Sequence, residues 1–428
     1  GWSAQQQVKY SRAMDHLRAA AALTSREHDP VVWAKVHHQL CSLMFDNGDY
    51  RQGSDLARVV LLVRENQLGL EHPSTLDSVN NLAGLLHENG DLAGAEPLLR
   101  RALEVRERVL GREHPGTLQS VNSLAVLLVA KGDLAEAEPL NRRALEARER
   151  VLGREHPHTI NSVVTLADLL RSKSDLTVAE TLYRQALAVL DRVLGREHPD
   201  TLHSANNLAT ILCAKGELAE AESLFRRTIE ACERVLGREH PHTLTSVSNL
   251  AKLLAANGDM VRAESLYRRA FQGREQLLGL EHRSTLVSLN SLANFLEDKG
   301  DLAGAEPLYR QLLEVNERML GPERSNTLAC MNNLANLLVA KRDVAGAAPL
   351  YRRALLERER VLGLDHSDTC ISRYNLAILL RDQGNLEEAE LLAKQAEQGL
   401  RAKLGASHRD TRNAKHVLDG ITAKLPKK

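Results

Sequence analysis

The sequence predicts an all-α solenoid of antiparallel helix pairs, and three observations carry that prediction. A Leu-Gly pair recurs with its glycine at Gly69, Gly111, Gly153, Gly195, Gly237, Gly279, Gly321, Gly363 and Gly405, a spacing of 42 residues without slippage. Fixed periods of about 20 to 50 residues mark stacked arrays whose units share one continuous core. Inside each period apolar residues return at three and four, as in Leu118, Val121, Leu124, Ala125 and Leu128, which is the rhythm of a helix and not of a strand. Helix punctuation also falls twice per period, at Gly111 and at Lys131-Gly132-Asp133.

Taken in order, residues 1–27 read as an N-terminal capping helix with Val8, Met14, Leu17, Ala21 and Leu23 as its apolar side. Residues 28–68 are a degenerate first repeat. Gly48-Asp49 stands where Gly90-Asp91 stands one period later, and Leu56 matches Leu98, but Gly53 replaces Ala95. Eight clear units fill residues 69–404. In the unit from Gly111 to Leu152, Gly111 closes the preceding helix because positive φ is cheap only for glycine. His114 then precedes Pro115, whose fixed φ suits the first helical position. Asp133 with Glu136 three residues on reads as a capping box for the second helix. That helix carries Leu134, Ala137, Leu140, Ala144, Leu145 and Leu152 on its apolar side.

Small alanines at Ala95, Ala137, Ala179, Ala221, Ala263, Ala305, Ala347 and Ala389 are expected to let paired helices approach closely. Pro97, Pro139, Pro307 and Pro349 conflict with a straight second helix, since interior proline removes a hydrogen bond and kinks the chain. Either these helices start later or they bend, and the good caps favour a bend. Ser174 and Arg342 replace the helix-breaking glycine, and Arg324-Ser325 replaces His-Pro, so local changes of pitch are expected there. Residues 405–424 repeat only a first helix, with Thr411, Leu418 and Ile421 in register but Arg412, Lys415 and Asp419 polar. They read as a C-terminal capping helix, followed by a mobile tail at 425–428.

Composition narrows the function classes. Lys plus Arg and Asp plus Glu number 56 each in 428 residues, so no global field draws the chain to nucleic acid or anionic lipid. Five cysteines, Cys41, Cys213, Cys232, Cys330 and Cys370, lack CxxC spacing, and an odd, scattered set fits reduced thiols in the cytoplasm. No apolar run reaches a membrane span of about 20 residues. The first residues lack a signal-peptide core, and Gly1 in place of a starting methionine suggests a trimmed chain.

Several constellations invite a chemical reading. His72, His114, His156, His198, His240, His282, His366 and His408 recur in the connecting loops, but one histidine per helix pair is too sparse for shared metal coordination at about 2 Å. A turn-stabilising role is expected, with no metal and no cofactor. Arg100, Arg142, Arg184, Arg226, Arg268, Arg310 and Arg352 form a column on the second helices beside Glu104, Glu107, Glu146 and Glu149. With aromatics at 3% there is no base-stacking platform, so an ion-paired outer face is expected. No phosphate loop, nucleophile elbow or HExxH motif is present, and the chain is not read as an enzyme.

The pattern Asn249-Leu250-Ala251, Ala263, Tyr267 and Ala270 resembles the tetratricopeptide repeat (TPR). The 42-residue period with its LGxEHPxTLxSxxNLAxLL opening is similar to the kinesin light chain type of that repeat over residues 28 to about 424. The resemblance implies a right-handed superhelical solenoid whose first helices line a concave groove for extended peptides of partner proteins. The long heptad segment and the acidic autoinhibitory segment of kinesin light chains are missing from these residues, so a motor-subunit role is not expected.

Matched onto that pattern, the peptide-binding groove is expected to use Asn80, Asn122, Arg171, Asn206, Thr210, Ser248, Lys252, Asn290, Asn294, Asn332, Asn336 and Tyr374. Asparagine amides both donate and accept, so a ladder of them can pair with a peptide backbone without demanding its sequence. The competing reading is that one asparagine of each pair, as in Asn81, Asn207, Asn249, Asn333 and Asn375, only props up the stack. Charge is sparse, with Arg171, Lys252 and Arg381 against Asp168, Glu297 and Asp298, so a mixed or weakly charged ligand is expected. The leading expectation is a monomeric, non-catalytic scaffold or adaptor for a protein or peptide. The alternative is the sensor module of a larger signalling protein that carries a nucleotide-binding switch domain. Self-assembly end to end is a third reading, opposed by the polar last helix.

Overall fold

The structure is a computed structural model that describes residues 4–47 and 49–425, with the side chains of residues 4–12 and of 46 and 47 outside the description. The expectations for Val8, Gly48 and the last three tail residues lie outside the described residues. Among those described there are 20 helices and no strand. The chain divides into two compact units, Gly1–Leu278 and Gly279–Lys428.

The first unit opens with α1 (Ala4–Leu23), followed by the pair α2 (Pro30–Asn47) and α3 (Tyr50–Leu68). Five full pairs follow: α4 (Pro73–Glu88) with α5 (Leu92–Leu110), α6 (Pro115–Lys131) with α7 (Leu134–Leu152), α8 (Pro157–Ser172) with α9 (Leu176–Val193), α10 (Pro199–Lys215) with α11 (Leu218–Val235), and α12 (Pro241–Ala256) with α13 (Met260–Leu278). The second unit holds α14 (Arg283–Asp298) with α15 (Leu302–Leu320), α16 (Ser325–Ala340) with α17 (Val344–Leu362), α18 (Ser367–Asp382) with α19 (Leu386–Leu404), and α20 (Arg409–Thr422). Within each unit a helix packs chiefly on its chain neighbours, the pattern of a stacked array.

The eight seam alanines from Ala95 to Ala389 are all fully buried. Gly53 replaces alanine in α3 because a Cβ there would lie 2.9 Å from Leu85 Cδ2 and 3.3 Å from Met44 Cβ. At the amino end Met14 packs with Leu40 and Met44, while Leu17, Leu43 and Leu56 lie against that cluster. Leu23, expected on the apolar side of α1, is the last residue of that helix and is instead 89% exposed. In α20 Thr411, Ala414, Val417 and Ile421 are buried, and Arg412, Lys415 and Asp419 are exposed.

Among the described residues, turns between paired helices have one geometry. Gly132 has φ +86°, its N–H reaches Val129 O at 3.0 Å and the N–H of Asp133 reaches Leu128 O at 2.8 Å, a Schellman closure. Ser174 and Arg342 take the same left-handed conformation at φ 64°. The N–H groups of Asp175 and Asp343 still reach Leu170 O and Leu338 O at 2.9 and 2.8 Å, so these substitutions leave the turn unchanged.

The second helices with prolines start where the others do, at Leu92, Leu134, Leu302 and Val344, which overturns a late start. Each proline is exposed, and so is the residue four positions before it. A carbonyl that loses its partner at such an exposed position can be satisfied by water. The Asp133–Glu136 capping box is not formed. Asp133 makes no side-chain cap, and Glu136 is drawn away by Arg100 of the preceding repeat, with Nη1 and Nη2 each at 2.8 Å from a carboxylate oxygen. Where the third helical residue is Gly94, Gly304 or Gly346, the carboxylates of Asp91, Asp301 and Asp343 do accept its N–H, at 2.9 Å.

Candidate functional site

The candidate site, taken in each unit by itself, is the face of the first helices that packing leaves open, and three devices set its orientation. The loop histidines form the first. In each of the eight, Nδ1 accepts the backbone N–H two residues on, at 3.1 Å for Gly116 on His114 and 3.2 Å for His242 on His240. The histidine is therefore the N-cap, and it must be neutral at Nδ1 to accept. His240 is the most buried of them, and burial together with neighbouring His242 pushes its pKa down to about 4. Arg324, which replaces histidine, makes no cap bond.

The second device is a threonine latch. Thr117 Oγ1 donates to the carbonyl of Gly111 at 2.8 Å, and Thr201, Thr243, Thr327 and Thr369 repeat the contact at 2.8 to 2.9 Å. The third is a buried arginine clasp. Arg106 of α5 donates through Nη1 to Gly116 O at 3.0 Å and Ser120 Oγ at 2.9 Å of α6, and through Nη2 to Asp77 Oδ1 of α4 at 2.7 Å. Arg64 with Ser78, Arg148 with Ser162 and Arg358 with Ser372 repeat it at 2.6 to 2.8 Å. Burial lowers the pKa of each of these guanidiniums, and that of Arg274 falls to about 10. Sequence reading missed this clasp. Its signal is an arginine followed 14 residues later by a serine.

On the face so oriented, the expected residues divide. Asn206 and Asn332 are only 5% and 6% exposed. Asn206 Oδ1 accepts from Asn249 Nδ2 of the next first helix at 3.2 Å, and Asn332 Nδ2 donates to Leu328 O at 3.1 Å. Asn206 spends its amide inside the stack, whereas Asn332 Oδ1 is shielded without a partner; both side chains are buried beneath the open face. Thr210 and Ser248 hydroxyls return to backbone carbonyls of Asn206 and Leu244. Tyr374 packs against the cluster of Cys370, Leu400 and Ala414.

Asn294 and Asn336 are exposed, and second-helix tyrosines hold them: Tyr309 Oη lies 2.6 Å from Asn294 Oδ1 and from Glu297 Oε2, and Tyr351 Oη bonds Asn336 Oδ1. Arg171 is exposed beside Asp168 at 3.4 Å, Lys252 is exposed, and Asn290 is half-buried.

Three first-helix asparagines in the first unit keep unspent capacity. Asn80 is half-buried with both amide atoms shielded and without a hydrogen-bond partner, and Asn122 Oδ1 is in the same state. Neighbouring Asn81 uses its Nδ2 on Ser42 Oγ of α2 at 3.0 Å, a propping contact, while its Oδ1 is shielded without a partner. Asn141 of α7 also escaped the sequence reading. It occupies the place of Tyr183, Tyr309 and Tyr351, is 1% exposed, and has neither amide atom paired. Fifteen residues earlier, where a tyrosine would find its acceptor, stands Val126, 41% exposed.

The second helices carry the ion pairs. Arg100, Arg142, Arg184, Arg226, Arg268 and Arg310 pair with the glutamate four residues earlier, Glu96 through Glu306, and not with Glu104 or Glu146. Glu107 pairs with Arg143 of the next repeat and Glu149 with Arg154. Lys131 and Arg100 together hold the Glu96 carboxyl below the usual range. All five cysteines are free thiols, with four buried and Cys213 half-buried. Among the described residues no helix is long and apolar enough to cross a membrane.

Comparison with known proteins agrees with this geometry. The tetratricopeptide repeat model matches seven overlapping stretches, 76–150, 119–192, 158–229, 200–276, 243–318, 284–355 and 341–402. No curated protein sequence matches. Among solved structures, the nearly identical TPR-like repeats of a putative kinesin light chain from Podospora anserina are 30% identical, covering 48% of this chain and 97% of that one, with a TM-score of 0.41 to 0.42 depending on the variant. BtubC (BKLC) from P. vanneervenii is 22% identical over 56% of this chain and 92% of its own, at 0.46. A Rap protein complexed with competence and sporulation factor shares the fold at 12% identity, over 91% and 98% of the two chains and with a TM-score of 0.52. The chain belongs to the tetratricopeptide repeat family, with repeats of the kinesin light chain-like type.

Proposed function

We propose that the chain is a non-catalytic scaffold that binds an extended segment of a partner protein along the open face of its first helices. The observation that carries this reading is the unspent hydrogen-bonding capacity of Asn80 and Asn122 at equivalent positions of adjacent repeats. Shielded amide atoms without partners cost about 1 to 3 kcal/mol each, and a peptide backbone laid across α4 and α6 recovers that cost once the asparagine side chains turn outward to meet it. Within the first unit Arg171 and Lys252 extend the face and Asn206 supports it from inside; within the second, Asn290, Asn294 and Asn336 line the face of its own first helices, with Asn332 beneath. The solved Rap complex named above supports the reading by its fold alone. The mixed charge of the face favours a weakly charged ligand, and the free thiols fit a cytoplasmic setting.

A peptide-array or pull-down screen on the wild type and an Asn80/Asn122/Asn290→Ala variant tests this. Partners bound by the wild type should lose at least tenfold in affinity, the equivalent of about 1.4 kcal/mol. Equal retention by the variant rejects the assignment of the face.

A further inference from the structure

The loop glutamate of each repeat is normally neutralised by an arginine near the end of the following second helix. Glu113 pairs with Arg150 at 2.8 Å, Glu197 with Arg234 at 2.6 Å and Glu281 with Arg318 at 2.6 Å, and Glu71–Arg108, Glu155–Arg192 and Glu323–Arg360 repeat the pair. The pairing fails at Glu239. The position of its arginine is Gln276, and Glu239 forms no ion pair or hydrogen bond among the described residues. Asp365 also lacks an arginine, Ala402 standing there, but it is exposed on the open surface.

A second substitution coincides with the first. The helix position occupied by Val105, Ala147, Val189 and Ala231 in preceding repeats is Gly273, and a Cβ there would lie 2.3 Å from Glu239 Oε2 and 2.9 Å from Leu244 Cδ1. The carboxylate has swung onto bare backbone. Around it opens a cavity of about 360 Å³ lined by Glu239, Ser265, Arg268, Arg269, Gln272, Gly273 and Gln276. That is near the lower end of ligand pockets, roughly 300 to 1,000 Å³. Its two arginines are already committed, Arg268 to Glu264 at 2.9 Å and Arg269 to Glu233 at 2.6 Å. The site is thus left with one uncompensated negative charge and two glutamine amides.

We propose that this cavity receives the guanidinium of an arginine on a partner protein, which supplies from outside the charge that Gln276 withholds from inside. A planar fork of donors meets the Glu239 carboxylate bidentately, and the Gln272 and Gln276 carbonyls accept the remaining N–H groups. The site lies within the first unit and does not depend on the asparagine face.

The test uses Nα-acetyl-arginine N-methylamide as probe and the citrulline analogue as its uncharged control, on the full chain with ¹³C-labelled leucine methyls. The Leu244 methyls, beside Gly273 and Glu239, report occupancy. Saturable shifts are expected with the arginine probe, and Glu239→Gln and Gln276→Arg should each weaken binding about tenfold or more. Gln276→Arg restores the residue that six other repeats carry, so it keeps the fold and closes the pocket. The Asn80/Asn122/Asn290→Ala variant should bind the probe unchanged. Equal binding by wild type and Glu239→Gln, or citrulline binding as tight as arginine binding, overturns the proposal.

Discussion

The repeat from Gly111 to Leu152 in the first unit and the repeat from Gly321 to Leu362 in the second share a latch and a turn closure but differ in chemistry. The first enters through the Arg106–Ser120 clasp, begins on the His114 cap and turns on Gly132. In the second, Asn316 replaces the arginine and Cys330 the serine, with Asn316 Nδ2 3.5 Å from Cys330 Sγ and 2.8 Å from Leu312 O. Arg324 replaces the cap and Arg342 the glycine. Yet the latch from threonine to the Leu-Gly carbonyl is 2.8 Å in both, and so is the closing bond of the turn. The shared geometry therefore rests on what both retain: the fully buried alanine seam, the latch and the apolar positions. Clasp, cap and turn glycine add stability to a shape already specified.

The largest effect should come from the clasp. Arg106→Ala strands Ser120 and the Gly116 carbonyl in a buried setting and should cost about 3 kcal/mol, against about 1 kcal/mol for Asn316→Ala. Urea unfolding followed by circular dichroism measures both, and equal losses would erase the distinction between the repeats.

Next comes pH. The folded pKa of His240 is about 4 against about 6.5 when unfolded. The unfolded chain binds the extra proton, so this stabilisation is complete above pH 6.5, declines as pH falls through 4, and amounts to roughly 2 kcal/mol after allowance for partial solvation. His240→Asn, which keeps a capping acceptor, should flatten the urea midpoint across that window, whereas the Arg324 repeat has no such dependence at its cap. Smaller still, His114→Ala should lose about 1 kcal/mol and Arg324→His gain about as much. The smallest is Arg342→Gly. Relief of a left-handed non-glycine, about 1 to 2 kcal/mol, is offset by the entropy of glycine at about 0.5 to 1 kcal/mol, for a net gain of about 0.5 kcal/mol in thermal or urea denaturation.

These differences also separate what the sequence could and could not convey. Helix pairing was legible because period and seam are written in residues that do one thing: Ala137 can only be small, and Gly132 can only turn. Arg106 was not legible, since a charged residue on a helix otherwise rich in arginine reads as solvated until its serine partner 14 residues on is noticed. Glu136 misled for a related reason. A glutamate three residues after an aspartate fits a capping box, but it fits equally a bridge to Arg100 in the previous repeat, and only spatial stacking decides between them. On the candidate face, one-dimensional register placed Asn80 and Asn206 in one class. Burial parted them, because Asn249 reaches Asn206 from the next helix, whereas Ser123, at the equivalent place, makes no bond to Asn80.

The clasp and latch together join the second helix of one repeat to the first helix of the next, so the cooperative unit straddles the boundary suggested by the Leu-Gly landmark. Shortened versions of the array should be cut accordingly. A version ending after Lys131 keeps Arg106 clasped and Gly111 latched, while one ending after Leu110 leaves a guanidinium shaped for Ser120 facing water and sheds the helix that covers it. Modular libraries assembled from these repeats would do best to treat α5 with α6, and not α6 with α7, as the interchangeable block.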